Sequence, residues 1–159
     1  AVRSWVLALP THRLSVNAVE AQLQYAIGQL QGCTTRSLLL SLQATAIRAL
    51  GDRRQDGLAQ ELLSVVLAGS PIDQRGQCSI VYNAALAAVQ QSNRTDRLPV
   101  AEALLERMRA DGCTVSGRSM QHFFAASTGV PAVEPLGLLM AQMGRGVQPQ
   151  LPVFNAMLA

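Results

Sequence analysis

A chain of 159 residues, 49% hydrophobic and 14% charged, is too apolar to stay disordered and has the length of one domain or a short array of repeats. Its aromatic content of only 4% leaves Leu, Ala, Val and Met to fill the interior, which suits closely packed helices better than a sandwich or barrel. The net charge of +3 permits an anionic partner without requiring one; all 13 basic residues are Arg, which fits a compositional bias of the source as well as a use for guanidinium forks on phosphates and bases.

In chain order, Val2 to Leu9 reads as the tail of a helix stopped by Pro10, and Thr11 to Leu14 as a loop. Asn17 with Glu20 three residues on has the form of a capping box, and the helix behind it carries Val19, Leu23, Ile27 and Leu30 on one face until Gly32 ends it. The next helix is expected from near Thr35 to Leu50, with Leu38, Leu42, Ala46 and Ala49 as its core stripe, widened by Leu39 and Leu50. Gly51-Asp52-Arg53-Arg54 reads as a turn, Leu58 to Leu67 as a helix with Leu62, Leu63 and Val66 inward, and Ala68 to Gly76 as a long connection.

Ser79 to Gly112 reads as two helices around the polar turn Ser92 to Arg97. Ile80, Tyr82, Leu86 and Val89 are the apolar positions of the first; Val100, Ala101, Leu104, Leu105 and Met108 are those of the second. Pro99 suits a first turn and Asp111-Gly112 a helix end, which makes an αα-hairpin. A helix follows from about Arg118 to Ser127 with Met120, Phe123 and Phe124 inward, then a turn at Gly129-Val130-Pro131. A further helix starts near Val133 or Glu134, so that Pro135 falls in its first turn, and ends at Gly144-Arg145-Gly146. Val147 to Gln150 leads into a last helix that breaks off at Ala159, so the chain reads as a piece of a longer protein.

The pattern recurs. Ala101, Leu104, Leu105 and Met108 are followed 35 residues later by Leu136, Leu139, Met140 and Met143, and Tyr82-Asn83-Ala84 returns 72 residues later as Phe154-Asn155-Ala156. A period in the mid-thirties without strand alternation predicts an all-α chain, an α-solenoid of about eight helices in antiparallel helix-turn-helix repeats. Its units are 1–34 (a vague helix pair), 35–78 (degenerate), 79–116 (the best), 117–150, and a truncated 151–159.

No chemistry of an enzyme is visible. Cys33, Cys78 and Cys113 are isolated, which excludes a disulfide framework or zinc motif and suggests buried thiols. There is no phosphate loop, carboxylate pair or metal cluster, so neither catalytic residues, cofactor nor metal is expected. His12 and His122 lack nucleophile or carboxylate partners at catalytic spacing, and Met108, Met120, Met140 and Met143 fall at core positions. No apolar run has the length of a membrane span, and no leader is seen at the start.

The order of Tyr82-Asn83, Ala85-Leu86, then Ala101, Leu104-Leu105, Met108 and Gly112 resembles a pentatricopeptide repeat. The next unit is similar through Leu139, Met140, Met143 and Gly146 to Pro149, and a third begins at Val153, Phe154, Asn155 and Leu158. Tetratricopeptide repeats would bring a Trp-x-x-Leu-Gly start, and octotricopeptide-type repeats are longer. The resemblance implies hairpins stacked into a superhelix whose first helices line a groove for single-stranded RNA. It also implies work in an organelle, mitochondrion or chloroplast, with RNA, ribosomal RNA included, and not DNA as the nucleic acid. Each unit would read about one base through the fifth residue of its first helix and the last of its loop, with a sandwiching residue three positions before the former.

Carried over, the resemblance makes Asn83 and Ser116 a reading pair, which resembles a pyrimidine-reading one, with Ile80 as the sandwich. Gln121 and Gln150 follow with Arg118 at the sandwiching position, able to stack on a base or reach a phosphate, and then Asn155 beside Pro152. The degenerate unit offers Ala44 and Cys78, which read nothing. The rival expectation is a scaffold subunit of a large organellar complex, a ribosome or an energy-transducing membrane assembly, with protein subunits as partners. Asn83 and Asn155 would then be helix-start residues. Arg94, Arg97, Arg107 and Arg109 face Asp96, Glu102, Glu106 and Asp111 and read as a solvated mixed-charge face.

Overall fold

Small side chains and short polar turns set the architecture. The computed structural model describes residues 2–8, 15–29, 35–127 and 135–146, and over these residues the chain is all-α, without strands. Its helices are α1 (Val2–Ala8), α2 (Val16–Gly28), α3 (Arg36–Asp52), α4 (Asp56–Ala68), α5 (Ser79–Gln91), α6 (Arg97–Ala110), α7 (Gly117–Ser127) and α8 (Pro135–Gly144). A 3₁₀ segment, Ile72–Gln77, fills much of the connection that the sequence leaves as a loop. The repeat units at 151–159, with Asn155, and the loop residue Gln150 lie outside the described residues, as do Cys33 and His12.

The packing has two layers. α1, α3, α5 and α7 lie side by side in chain order, and α4 and α6 fold back on α3 and α5 respectively. α3 and α5 share the most extensive contact. Small residues are frequent among those that the two helices bury: Ala44, Ala46, Ala49 and Gly51 on α3, and Ala84, Ala85, Ala87 and Ala88 on α5. A Cβ placed on Gly51 would stand 2.6 Å from the Ala88 Cα, so the two backbones touch where Gly51 lies. Gly51 is therefore a packing residue inside α3 rather than part of the turn, which is made by Arg53 and Arg54, the latter at φ 57°.

Several expectations shift by a turn or a face. Ser15, not Asn17, caps α2, its Oγ accepting from the Ala18 amide at 3.2 Å. Helix α2 ends at Gly28 rather than Gly32. Thr35 caps α3 as expected from its position, accepting from the Leu38 amide at 3.3 Å. On α3, Leu38 is 36% exposed and the core is Leu40, Ala44, Ala46, Ile47, Ala49, Leu50 and Gly51. The stripe is rotated because α1, α4 and α5 enclose this helix from several sides, so periodicity alone does not pick its buried face.

The hairpin α5–α6 follows the sequence closely. Tyr82, Leu86, Val89, Ala101, Leu105 and Met108 are fully buried, and Leu104 is nearly so. Ile80, expected in that stripe, is exposed. Gly112 at φ 74° ends the hairpin in the left-handed region that glycine takes cheaply. The Tyr82 hydroxyl donates to Asp111 at 2.5 Å, and Arg75 stands 3.6 Å from the same carboxylate. Burial and that hydrogen bond raise the Tyr82 phenol well above its ordinary range. Met120, Phe123 and Phe124 are buried as expected, and Pro135 opens α8. Leu139 is buried, but Met140 and Met143 are exposed, since they sit on the side of α8 where no described element packs.

Gly51→Ala is expected to destabilise the fold by about 1–2 kcal/mol, since overpacking against the Ala88 backbone outweighs the gain in helix propensity. Thermal unfolding checks this: the midpoint should fall by several degrees, and an unchanged midpoint would mean that α3 and α5 are not held at this distance.

Candidate nucleic-acid interface

The side-by-side placement of α1, α3, α5 and α7 leaves a groove of about 290 Å³ across their faces. Arg3 enters from α1; Ser41, Ala44, Thr45 and Arg48 from α3; Ile80 from α5; and Arg118 from α7. Three of these seven residues are arginines and none is acidic. Ile80 is 44% exposed here, an apolar side chain at the edge of a cationic surface.

The arginines differ in their partners. Arg3 donates to Asp52 at 3.0 Å. Arg48, half-buried, and Arg118, exposed, have neither a hydrogen bond nor an acidic partner among the described residues. Elsewhere the cations are largely engaged. Arg94 pairs with Asp96 at 2.7 Å and with Asp56 at 3.4 Å, Arg109 with Glu106 at 2.9 Å, and Arg145 with Glu106 at 2.6 Å. Arg54 donates to Asn93, Arg107 to Ser64, and Arg109 also to Gln142. Of the expected mixed-charge face, Arg94 with Asp96 and Arg109 with Glu106 pair directly, whereas Arg107 turns to Ser64 and Asp111 is taken by Tyr82 and Arg75.

His122, on α7, registers the field of the unpaired pair. It is hydrogen-bonded through Nδ1 to Gln90 Oε1 at 2.8 Å, and its Nε2 is buried without a partner. Burial first, then the charges of Arg118 and Arg48, hold its imidazole down at about 4.

Of the expected reading residues, the groove brings together only Ile80 and Arg118. Gln121 is exposed. Asn83 is half-buried and its Oδ1 lies inside without a hydrogen-bond partner. Ser116 is occupied with capping α7: its Oγ accepts from the Ser119 amide at 3.3 Å, and Ser119 Oγ accepts from the Ser116 amide at 3.1 Å. This reciprocal pair is a capping box with Ser in place of Glu. Ala44 and Cys78 are buried, in keeping with their inability to read a base. Sequence reasoning missed Arg48, whose signal was its place one turn beyond Ala44 on the same helix face. It missed Arg3 as well, since the vague first pair gave no register.

Cys78 and Cys113 are both buried, and burial raises the Cys113 thiol above its ordinary range, which keeps it unreactive. No group of His, Cys, Asp and Glu among the described residues has the arrangement to hold a metal ion, and no described helix is long and apolar enough to cross a membrane. Compared with known proteins, the chain matches no family model, no curated sequence and no solved structure.

Two outcomes follow. Ser116→Ala should cost about 1 kcal/mol of stability through the lost cap, measured by denaturant unfolding. The depressed His122 midpoint means that the unfolded state takes up the proton first, so this residue withdraws stability as pH falls from about 6.5 toward 4. His122→Gln should flatten the decline of the unfolding midpoint across that window; an unchanged slope would show that His122 is not held neutral.

Proposed function

We propose that this chain is a pentatricopeptide-like helical-repeat protein that binds single-stranded RNA in organellar gene expression. The observation that carries the reading is the sorting of its arginines. Those outside the first-helix row are largely engaged by carboxylates, carbonyls or side-chain acceptors, whereas Arg48 and Arg118 meet in a groove across that row with no acid lining it. Cations gathered at one groove without a counter-charge make a positive surface that attracts an anion.

A single strand laid along the row would set its phosphates against the guanidiniums and a base or sugar against Ile80, with Gln121 offering an amide beyond the groove. Ser116 is committed to its cap and Asn83 turns one polar atom inward, so the binding would be electrostatic and tolerant of sequence. The backbone, more than the base edges, would supply the affinity.

The test is fluorescence anisotropy of a labelled single-stranded RNA across a salt series. The expected result is binding at low salt whose log K falls with log salt at a slope of about −1.4 to −2.1, since two or three contacts at roughly −0.7 each are involved. Asn83→Ala should change it little. Absence of binding at the lowest salt, with the helical spectrum intact, would remove the reading and leave an architectural subunit of a larger organellar assembly in its place.

A further inference from the structure

We propose that Arg48 and Arg118 form a phosphate clamp, a defined site that grips one phosphodiester of the bound strand across α5, with Ile80 as the apolar flank for the adjoining sugar or base. The inference deepens the RNA reading and rests on it for the source of the phosphate.

The placement supports a clamp rather than a diffuse basic surface. Arg48 comes from α3 and Arg118 from α7, helices that flank α5, and both line the same groove together with Ile80 of α5. An anion seated between them would therefore be held from two sides by elements whose spacing is set by the core. Arg48 is half-buried, which limits its rotamers and removes it partly from water. Both features strengthen a charge-assisted fork on a phosphate. The Ser41 and Thr45 side chains also line the groove, although the Thr45 hydroxyl is used internally, donating to the Ser41 carbonyl at 2.7 Å.

The cations lack local competition. The carboxylate near the groove's edge, Asp52, is taken by Arg3 at 3.0 Å. The charges acting on His122 are those of Arg118 on its own helix and Arg48 on α3, while α5 presents the neutral Gln90. The imidazole thus sits in the field of both guanidiniums at once. A phosphate held between them would cancel that field, and His122 becomes a built-in reporter of occupancy: its protonation midpoint should rise from about 4 when the site fills.

The experiment titrates the whole chain with inorganic pyrophosphate, followed by calorimetry and by the His122 ring resonances. Saturable binding is expected, with an upward move of the His122 midpoint. In the R48Q/R118Q variant the affinity should drop by at least about tenfold, as loss of two charge-assisted contacts implies. R54Q/R107Q, which alters arginines outside the groove, should bind as the native chain does. Equal affinity in R48Q/R118Q, or no binding by the native chain, would overturn the clamp. If the double variant does not fold, the exposed Arg118→Gln alone serves, with a smaller loss expected and none overturning the proposal. Pyrophosphate binding without RNA binding would leave the clamp standing and remove the RNA reading. RNA binding that ignores R48Q/R118Q would remove the clamp and leave the RNA reading in place.

Discussion

The close approach of α3 and α5 is the constraint on which the rest of the structure depends. It needs a residue without a side chain at Gly51 and a small one at Ala88, which it faces. Larger side chains would separate the helices and open the face that they share. With the two backbones in contact, α1 is drawn to α3, an attachment helped by Arg53, which donates to the Val6 carbonyl at 2.8 Å. On the other side α7 packs against α5. The low aromatic content of the chain is thus a packing requirement as much as a compositional habit.

That spacing also sorts the charges. Polar residues on helices packed this tightly can only project from the surfaces that remain. Around α6 arginines meet glutamates one turn or one element away: Arg109 pairs with Glu106, and Arg145, just past α8, with Glu102 and Glu106. On α3 and α7 the residues beside Arg48 are Ala44, Thr45 and Ile47, those beside Arg118 are Gly117 and Ser119, and the carboxylate one turn past Arg48, Asp52, is taken by Arg3. A chain of modest overall charge thereby acquires one surface where positive charge is unopposed. Local arrangement decides this, and the net charge of +3 gives little hint of it.

Helix positions were largely legible because apolar spacing, caps and turn residues agree along most of the chain. The hairpin α5–α6 is the clearest case, with its core residues and its glycine stop where the pattern puts them. What was not legible depended on neighbours. Gly51 has the local look of a turn residue, and only the arrival of α5 makes it a contact residue. Ser15 and Asn17 are both good cap residues, and the choice between them rests on where the backbone enters the helix. Ile80 and Leu38 fit their apolar stripes and yet face outward, because an enclosed helix buries more than one stripe. Site residues were harder still. Ser116 matches a reading position and is used for a cap, while Arg48 belongs to the groove through the pairing of α3 with α5 and α7, which no local pattern encodes.

The central claim is that nucleic acid lies on the face formed by the first-helix row. Photo-crosslinking of a single-stranded RNA carrying 4-thiouridine, with adducts mapped by mass spectrometry, tests it directly. The account predicts adducts within Ser41 to Arg48, at or beside Ile80, and near Arg118 to His122. Adducts confined to α4 and α6, around Arg107 and Arg109, would contradict it.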